Sequence, residues 1–198
     1  MENYKSKKNK IIEKSMDLIY RGGYHGTGIQ QIADAAGIPK GSFYYYFKNK
    51  EDYAVECLLF FFSQMKENNM RFLSDSDINP LKRILVFFEA NIKDLEDVGL
   101  IKGCLIGNLT EEMGDQNDLI AEVAENIQVE ITSEISRCIR EEQELVGIKT
   151  GLDQDMIADF IINNWQGALI RMKSARNRRP LDIFLETTSF FLIAVFQQ

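Results

Sequence analysis

Histidine and tryptophan occur once each in this 198-residue chain, and proline and cysteine three times each. His25 stands four positions after Arg21, with no second histidine and no nearby cysteine to share a metal ion, so a place in a turn or near a phosphate is expected of it. Cys57, Cys104 and Cys138 lie far apart without CxxC spacing, which fits reduced thiols better than a disulfide framework or a zinc site. Long apolar runs are missing too. Leu58–Phe62 and Phe190–Phe196 fall far short of the roughly 18 residues that a spanning helix needs, so no membrane segment is expected. The early lysines Lys5, Lys7, Lys8 and Lys10 lead into the amphipathic Ile11-Ile12-Glu13-Lys14 and not into the apolar core of a signal peptide, so a cytoplasmic protein is expected.

What is present is an ordinary apolar content of 45% arranged in long amphipathic runs, which with so little proline reads as all-α. The charge is unevenly divided. Residues Met1–Lys50 hold nine Lys/Arg against four Asp/Glu, a net +5, while the remainder carries −12. A basic head on an acidic body suits a protein that brings one end to a phosphate backbone and keeps the rest from non-specific capture.

The helical spacing of Ile12, Ser15, Met16 and Ile19 predicts a first helix over Lys7–Arg21, stopped by Gly22-Gly23. Thr27 is expected to cap a second, whose face Ile29, Ile32, Ala33 and Ala36 is small enough for close packing and which Gly37 ends. Pro39 is expected in the first turn of a third, very short helix running to Phe47. Two short helices joined by a glycine turn are the pattern of a helix-turn-helix. Further helices are expected over Glu51–Leu73, from Pro80, after Gly103, over Asn117–Gln143, up to Ala175 and from Pro180. In the helix ending at Ala175 the stripe Met156, Phe160, Asn164, Ala168, Met172 is expected on one face. In the last, Leu181, Phe184, Leu185, Thr188, Phe191, Leu192 and Val195 form a wide apolar face. Gly147 and Gly151 delimit a loop, and Arg176, Arg178 and Arg179 are expected to complement a helix C-terminus.

A recognition helix reads bases from its first turn. Lys40 and Ser42 are therefore the base-contact candidates, with Gly41 permitting close backbone approach and Tyr45 suited to thymine methyls. Gln30, Tyr44, Tyr46, Lys50 and Thr27 complete the expected DNA-binding set, the tyrosines, lysine and threonine through phosphate. Phe43 and Phe47 are expected to face the core.

The continuous stretch Thr27–Lys50, with its Ile32-Ala33 pair, Ala36-Gly37, Gly41-Ser42-Phe43-Tyr44, Phe47 and then Lys50-Glu51, resembles the DNA-binding domain of the TetR family of bacterial repressors. Tyr46 stands where members of that family commonly have histidine. The resemblance implies about nine helices: a three-helix DNA-binding domain over 1–50, and a helical ligand-binding and dimerisation domain over 51–198, with a fourth helix linking them. It implies a homodimer formed through the last two helices, a palindromic double-stranded operator, repression relieved by a small-molecule or electrophile inducer, and no catalytic, cofactor or metal site.

Ligand-lining candidates are Phe61, Met65, Phe88, Asn91, Cys104, Asn108 and Trp165, aromatic, flexible or singly polar residues on expected inward positions. Lys102-Gly103-Cys104-Leu105 is similar to a segment of a TetR subgroup whose cysteine senses electrophiles, and a neighbouring lysine and a following helix start would favour the thiolate. Glu111, Glu112 and Asp115 read as a solvated face, since neither nucleophile nor histidine accompanies them. Two competing classes are a helical module that recruits a protein instead of DNA, against which the tyrosine-rich basic head speaks, and a thiol enzyme using Cys104, which has no histidine partner outside that head.

Overall fold

The structure is a computed structural model and describes residues 4–100, 102–147 and 151–196. Among them are nine α-helices, one 3-10 helix and no strand. They are α1 Tyr4–Gly22, α2 Ile29–Ala36, α3 Lys40–Tyr46, α4 Lys50–Asn68, the 3-10 helix Met70–Ser74, α5 Pro80–Asp97, α6 Leu105–Met113, α7 Asp118–Val146, α8 Gln154–Ala175 and α9 Arg179–Phe196. The all-α expectation and its helix order hold. The loop expected between Gly147 and Gly151 falls largely on 148–150, outside the described residues.

Packing groups the chain into two compact units, the first comprising residues up to Gln64 with Cys104–Asn126 and the second Met65–Gly103 with Ile127 onward. The boundary expected at 50/51 coincides with the first turn of α4, which continues unbroken across it.

In the first unit, Ile11, Ile12, Ile19, Ile32, Ala33, Phe43, Phe47, Tyr53 and Leu58 are buried, an arrangement that places one stripe from each of α1 to α4 in a common core. Ser15, a polar group inside it, is satisfied twice: its hydroxyl reaches the Ile11 carbonyl at 2.6 Å and the Tyr53 hydroxyl at 2.7 Å.

In the second unit, α5 packs on the 3-10 helix and on α9, and α8 on α9. Its centre is aromatic, with the Phe88 ring 5.1 Å from Trp165 and 4.8 Å from Phe184. Asn79 caps α5 through the Leu81 and Lys82 amides, with Pro80 in the first turn as expected. Arg83, almost fully buried, is paired with Glu141 and donates to the Ile78 carbonyl, so its charge does not stand alone in the core.

Two local expectations are corrected. Pro39 is the N-cap of α3 and not its first helical residue, because its ψ of 143° is extended while its carbonyl accepts from the Ser42 amide at 2.8 Å. On α8, Met156, Phe160 and Asn164 are exposed, and the residues facing inward are Ile157, Ala158, Ile161, Ile162, Trp165, Leu169 and Met172. The helix is apolar on two sides, and the stripe read from the sequence is mostly the outer one.

Candidate nucleic-acid interface

Helix α3 has seven residues, too few for its own hydrogen bonds to hold it, so its geometry depends on what it packs against. Phe43 and Phe47 supply that anchorage. Both are buried, their rings 5.1 Å apart and each within 5.9 Å of the buried Tyr53 ring. Burying those two leaves the opposite face free: Lys40 and Gly41 are exposed, Ser42 is half-buried, and Tyr44 and Tyr45 are 53% and 70% exposed. A Cβ built on Gly41 would meet nothing within 4 Å, so this face is open at the backbone itself. Tyr46 is half-buried beside Tyr45, their ring centroids 5.0 Å apart.

The turn before α3 is set by Gly37, at φ 72°, whose amide reaches back to Asp34 while Ile38 bonds to Ala33. Helix α2 begins differently from expectation. The Gly28 amide donates to the Gln31 side chain at 2.7 Å, while the Thr27 hydroxyl points inward to the Gly23 carbonyl at 2.8 Å. Thr27 is buried, and so its hydroxyl ties the α1–α2 turn together instead of capping α2 or facing solvent. Gln30 is exposed on the first turn of α2, its amide donating to Asp34 at 2.7 Å.

Lys50 is likewise engaged. Its ammonium donates to the Tyr24 and Thr27 carbonyls, both at 3.1 Å, and sits 4.0 Å from the Tyr24 ring centroid. The Tyr24 hydroxyl donates to Glu51 at 2.7 Å; burial and that carboxylate push the phenol upward, while the hydrogen bond holds Glu51 below its ordinary range. The Lys50-Glu51 pair thus clamps the start of α4 to the α1–α2 turn. Lys8 performs a similar tie from α1, pairing with Glu56 at 2.9 Å over the Phe47 ring. The exposed cations nearest the recognition helix in sequence are Lys40 and Lys48.

Glu112 departs from the solvated face expected of it. Glu111 and Asp115 are exposed, but Glu112 accepts the His25 amide at 3.1 Å, and a Cβ on Gly23 would lie 2.4 Å from its carboxylate. His25 itself is exposed in the turn, edge-on to Tyr24. Tyr4, Tyr24 and Glu112 are participants that sequence spacing missed, because each acts through a contact at long separation and none belongs to a local pattern.

The expected ligand residues fall in both units. In the first, Phe61 is half-buried with its ring 5.9 Å from Tyr20, Cys104 is the half-buried N-cap residue of α6, and Asn108 lies one turn further along. In the second, Phe88 and Trp165 meet in the aromatic cluster, Met65 is half-buried, and the Asn91 amide donates to the Phe87 carbonyl at 2.7 Å. The other two cysteines are buried: desolvation pushes the Cys57 thiol up to about 12 and Cys138 up to about 11. No helix among the described residues is long and apolar enough to cross a membrane, and no group of three potential metal ligands occurs among them.

A short, rigidly seated helix that offers lysine, serine and tyrosines to solvent, preceded by a glycine turn and a second short helix, defines a helix-turn-helix DNA-binding regulator. Residues 11–57 match the model for bacterial regulatory proteins of the tetR family, and residues 80–188 match the tetracyclin repressor-like C-terminal domain. The chain belongs to the TetR family of transcriptional regulators. It is 38% identical over 175 residues to the HTH-type transcriptional repressor DhaR of Mycobacterium sp. (strain GP1), covering 88% of this chain and 86% of that one. It is 25% identical over 175 residues to the HTH-type transcriptional repressor NemR of Escherichia coli (strain K12), covering 87% and 86%. The crystal structure of regulatory protein TetR from Rhodobacter sphaeroides superposes with a TM-score of 0.83 at 27% identity, over 90% of this chain and 95% of that one.

Proposed function

We propose that the chain is a homodimeric repressor that holds a palindromic operator in the cytoplasm and releases it when a small-molecule or electrophilic inducer enters its body. The observation that carries the proposal is the two-sidedness of α3: Phe43 and Phe47 buried, Lys40, Gly41, Ser42, Tyr44 and Tyr45 turned outward. In this reading Lys40 and Ser42 contact base edges, Gly41 lets the backbone approach, Tyr45 packs on a thymine methyl, and Gln30, Tyr44 and Tyr46 reach phosphates. Thr27 and Lys50 serve by fixing the turn that aims α2 at the backbone. Residues 1–50 act as the reading head, and 51–198 as the ligand-binding and dimerising body.

Repression is supported by the two relatives named as repressors. Dimerisation through α8 and α9 is supported by their outward apolar residues. The ligand residues of this reading are Phe61, Met65, Phe88, Asn91, Cys104, Asn108 and Trp165. An electrophile as inducer is favoured by Cys104, which sits at a helix start and is less buried than Cys57 or Cys138. Operator release by a quinone or aldehyde should then fail in Cys104→Ser; unchanged release would leave a non-covalent inducer.

The test is selection of bound fragments from the source genome, followed by footprinting. Two-fold symmetric protection, with half-sites one DNA turn apart (roughly 34–36 Å) and a steep salt dependence, is expected. Protection without two-fold symmetry would contradict the dimeric model, and salt-insensitive retention would contradict DNA reading altogether.

A further inference from the structure

Helix α3 is closed by one backbone bond of its own, the Phe47 amide donating to the Phe43 carbonyl at 2.9 Å. Its last turn contains no basic residue and Phe47 is extended, so the Tyr45 and Tyr46 carbonyls need a donor from elsewhere. That donor comes from the opposite end of the head. Tyr4, the first described residue of α1, places its hydroxyl 3.3 Å from the Tyr45 carbonyl and 3.4 Å from the Tyr46 carbonyl, one proton shared between two acceptors. Its ring stacks on Tyr46 with centroids 5.5 Å apart and meets Tyr45 edge-on at 5.6 Å. Tyr45 and Tyr46 pack edge-on against each other, so the three rings form one mutually supported cluster on the surface.

We propose that Tyr4 is a positioning residue for DNA reading: it closes the C-terminal end of the recognition helix and fixes the rotamers of Tyr45 and Tyr46 before DNA arrives. An aromatic side chain as exposed as Tyr45 would otherwise sample several rotamers, and ordering it on binding would cost affinity. Tyr4 moves that ordering into the free protein. The hydroxyl and the ring do separable work, since the first holds carbonyls and the second holds side chains. The proposal rests on the operator-reading function given above for α3.

The experiment compares full-length wild type, Tyr4→Phe and Tyr4→Ala by hydrogen exchange without DNA, and by binding to the genomic fragment that wild type selects and to random-sequence duplex. Tyr4→Ala is expected to speed amide exchange over Tyr45–Phe47 about fivefold, the scale of one hydrogen bond, with α1, α2 and α4 unchanged. It is also expected to weaken selected-fragment binding by about the same factor while leaving random duplex within twofold. Tyr4→Phe should fall between the two. Unchanged exchange in α3 would overturn the proposal, as would equal losses on both duplexes, which would make Tyr4 a direct backbone contact. Faster exchange throughout the head would make it a general stabilising residue and would overturn it equally. Should wild type select no fragment, the reading of α3 fails, and the exchange measurement still decides whether Tyr4 holds that helix.

Discussion

Single buried groups govern how the protein responds to pH and to reagents. Cys57 lies within the first unit's core beside Tyr53, and both groups are pushed upward chiefly by desolvation. The neutral thiol is therefore favoured in the folded state. Its contribution to stability is complete below the ordinary thiol value near 9 and is lost as pH rises toward about 12, by roughly 1.4 kcal/mol per pH unit while the unfolded thiol is ionised and the folded one is not. Cys138, raised to about 11, adds to the same slope over a narrower window. Urea midpoints are expected to fall steeply between pH 9 and 10.5, and more gently in Cys57→Ala even though that variant starts less stable; a slope unchanged by the substitution would remove Cys57 as its source. The same burial predicts that a maleimide modifies one thiol, Cys104, in the native protein at neutral pH, while denaturant opens all three; intact-mass measurement of each state distinguishes these outcomes. Lys50→Met is expected to cost about 1–3 kcal/mol of stability, because the Tyr24 and Thr27 carbonyls lose a charged donor. A mere phosphate contact would leave stability unchanged and lower only the salt slope of DNA binding.

At the scale of elements, helix α6 joins the packing of the head although it lies some forty residues beyond α4 in sequence. Cys104 at its N-cap, Asn108 and Glu112 recur every four residues, and the last of these accepts the His25 amide in the α1–α2 turn. Gly23, at φ 74°, leaves the room that the Glu112 carboxylate fills. Gly23→Ala is expected to cost about 1–2 kcal/mol from the left-handed backbone alone, and more from the crowded carboxylate. Glu112→Ala should cost about 1 kcal/mol, and the double variant less than the sum, since removing the carboxylate relieves the crowding. Urea denaturation of the four proteins measures that coupling, and strict additivity would dissolve the contact. The left-handed stop at Gly23 was legible in the sequence, but the long-range role of Glu112 was not. The helices themselves were legible, because Ile12, Ser15 and Ile19, or Ile32, Ala33 and Ala36, repeat at a spacing that physical periodicity demands. So was the division of α3 into Phe43 and Phe47 inside and Tyr44 and Tyr45 outside. What spacing does not encode is which distant group completes a polar atom. Thr27 looked like a cap but bonds to Gly23, and Glu112 looked solvated. On α8 the periodicity was real but ambiguous: a helix with two apolar sides supports two stripes, and Met156, Phe160 and Asn164 belong to the outer one.

At the scale of the whole molecule, that outer stripe is the feature one chain alone leaves unsatisfied. Ile170 on α8 is 64% exposed and Phe190 on α9 is 75% exposed, with Met156, Phe160, Ile183 and Ile193 also facing outward on the same two helices. Gly167 adds a bare backbone position, since a Cβ there would meet nothing within 4 Å. Apolar side chains concentrated on two adjacent helices are costly in water, and in the dimer proposed above a second copy of the same pair covers them in a closed, two-fold interface. With a net charge of only +5 on the head and −12 on the body, the proposed reading expects one head to bind DNA weakly and affinity to depend on two heads engaging one operator together. Ile170→Glu combined with Phe190→Glu places two charges where a partner would sit, at positions contributing little to the fold of one chain. The double variant is expected to sediment as a monomer with an unchanged helical circular dichroism spectrum and to lose about a hundredfold or more in binding the selected fragment. A single half-site should bind both proteins alike. If the variant remained dimeric, the interface would lie elsewhere; if it became monomeric yet kept full operator affinity, reading by one head would suffice and the paired-head account would fail.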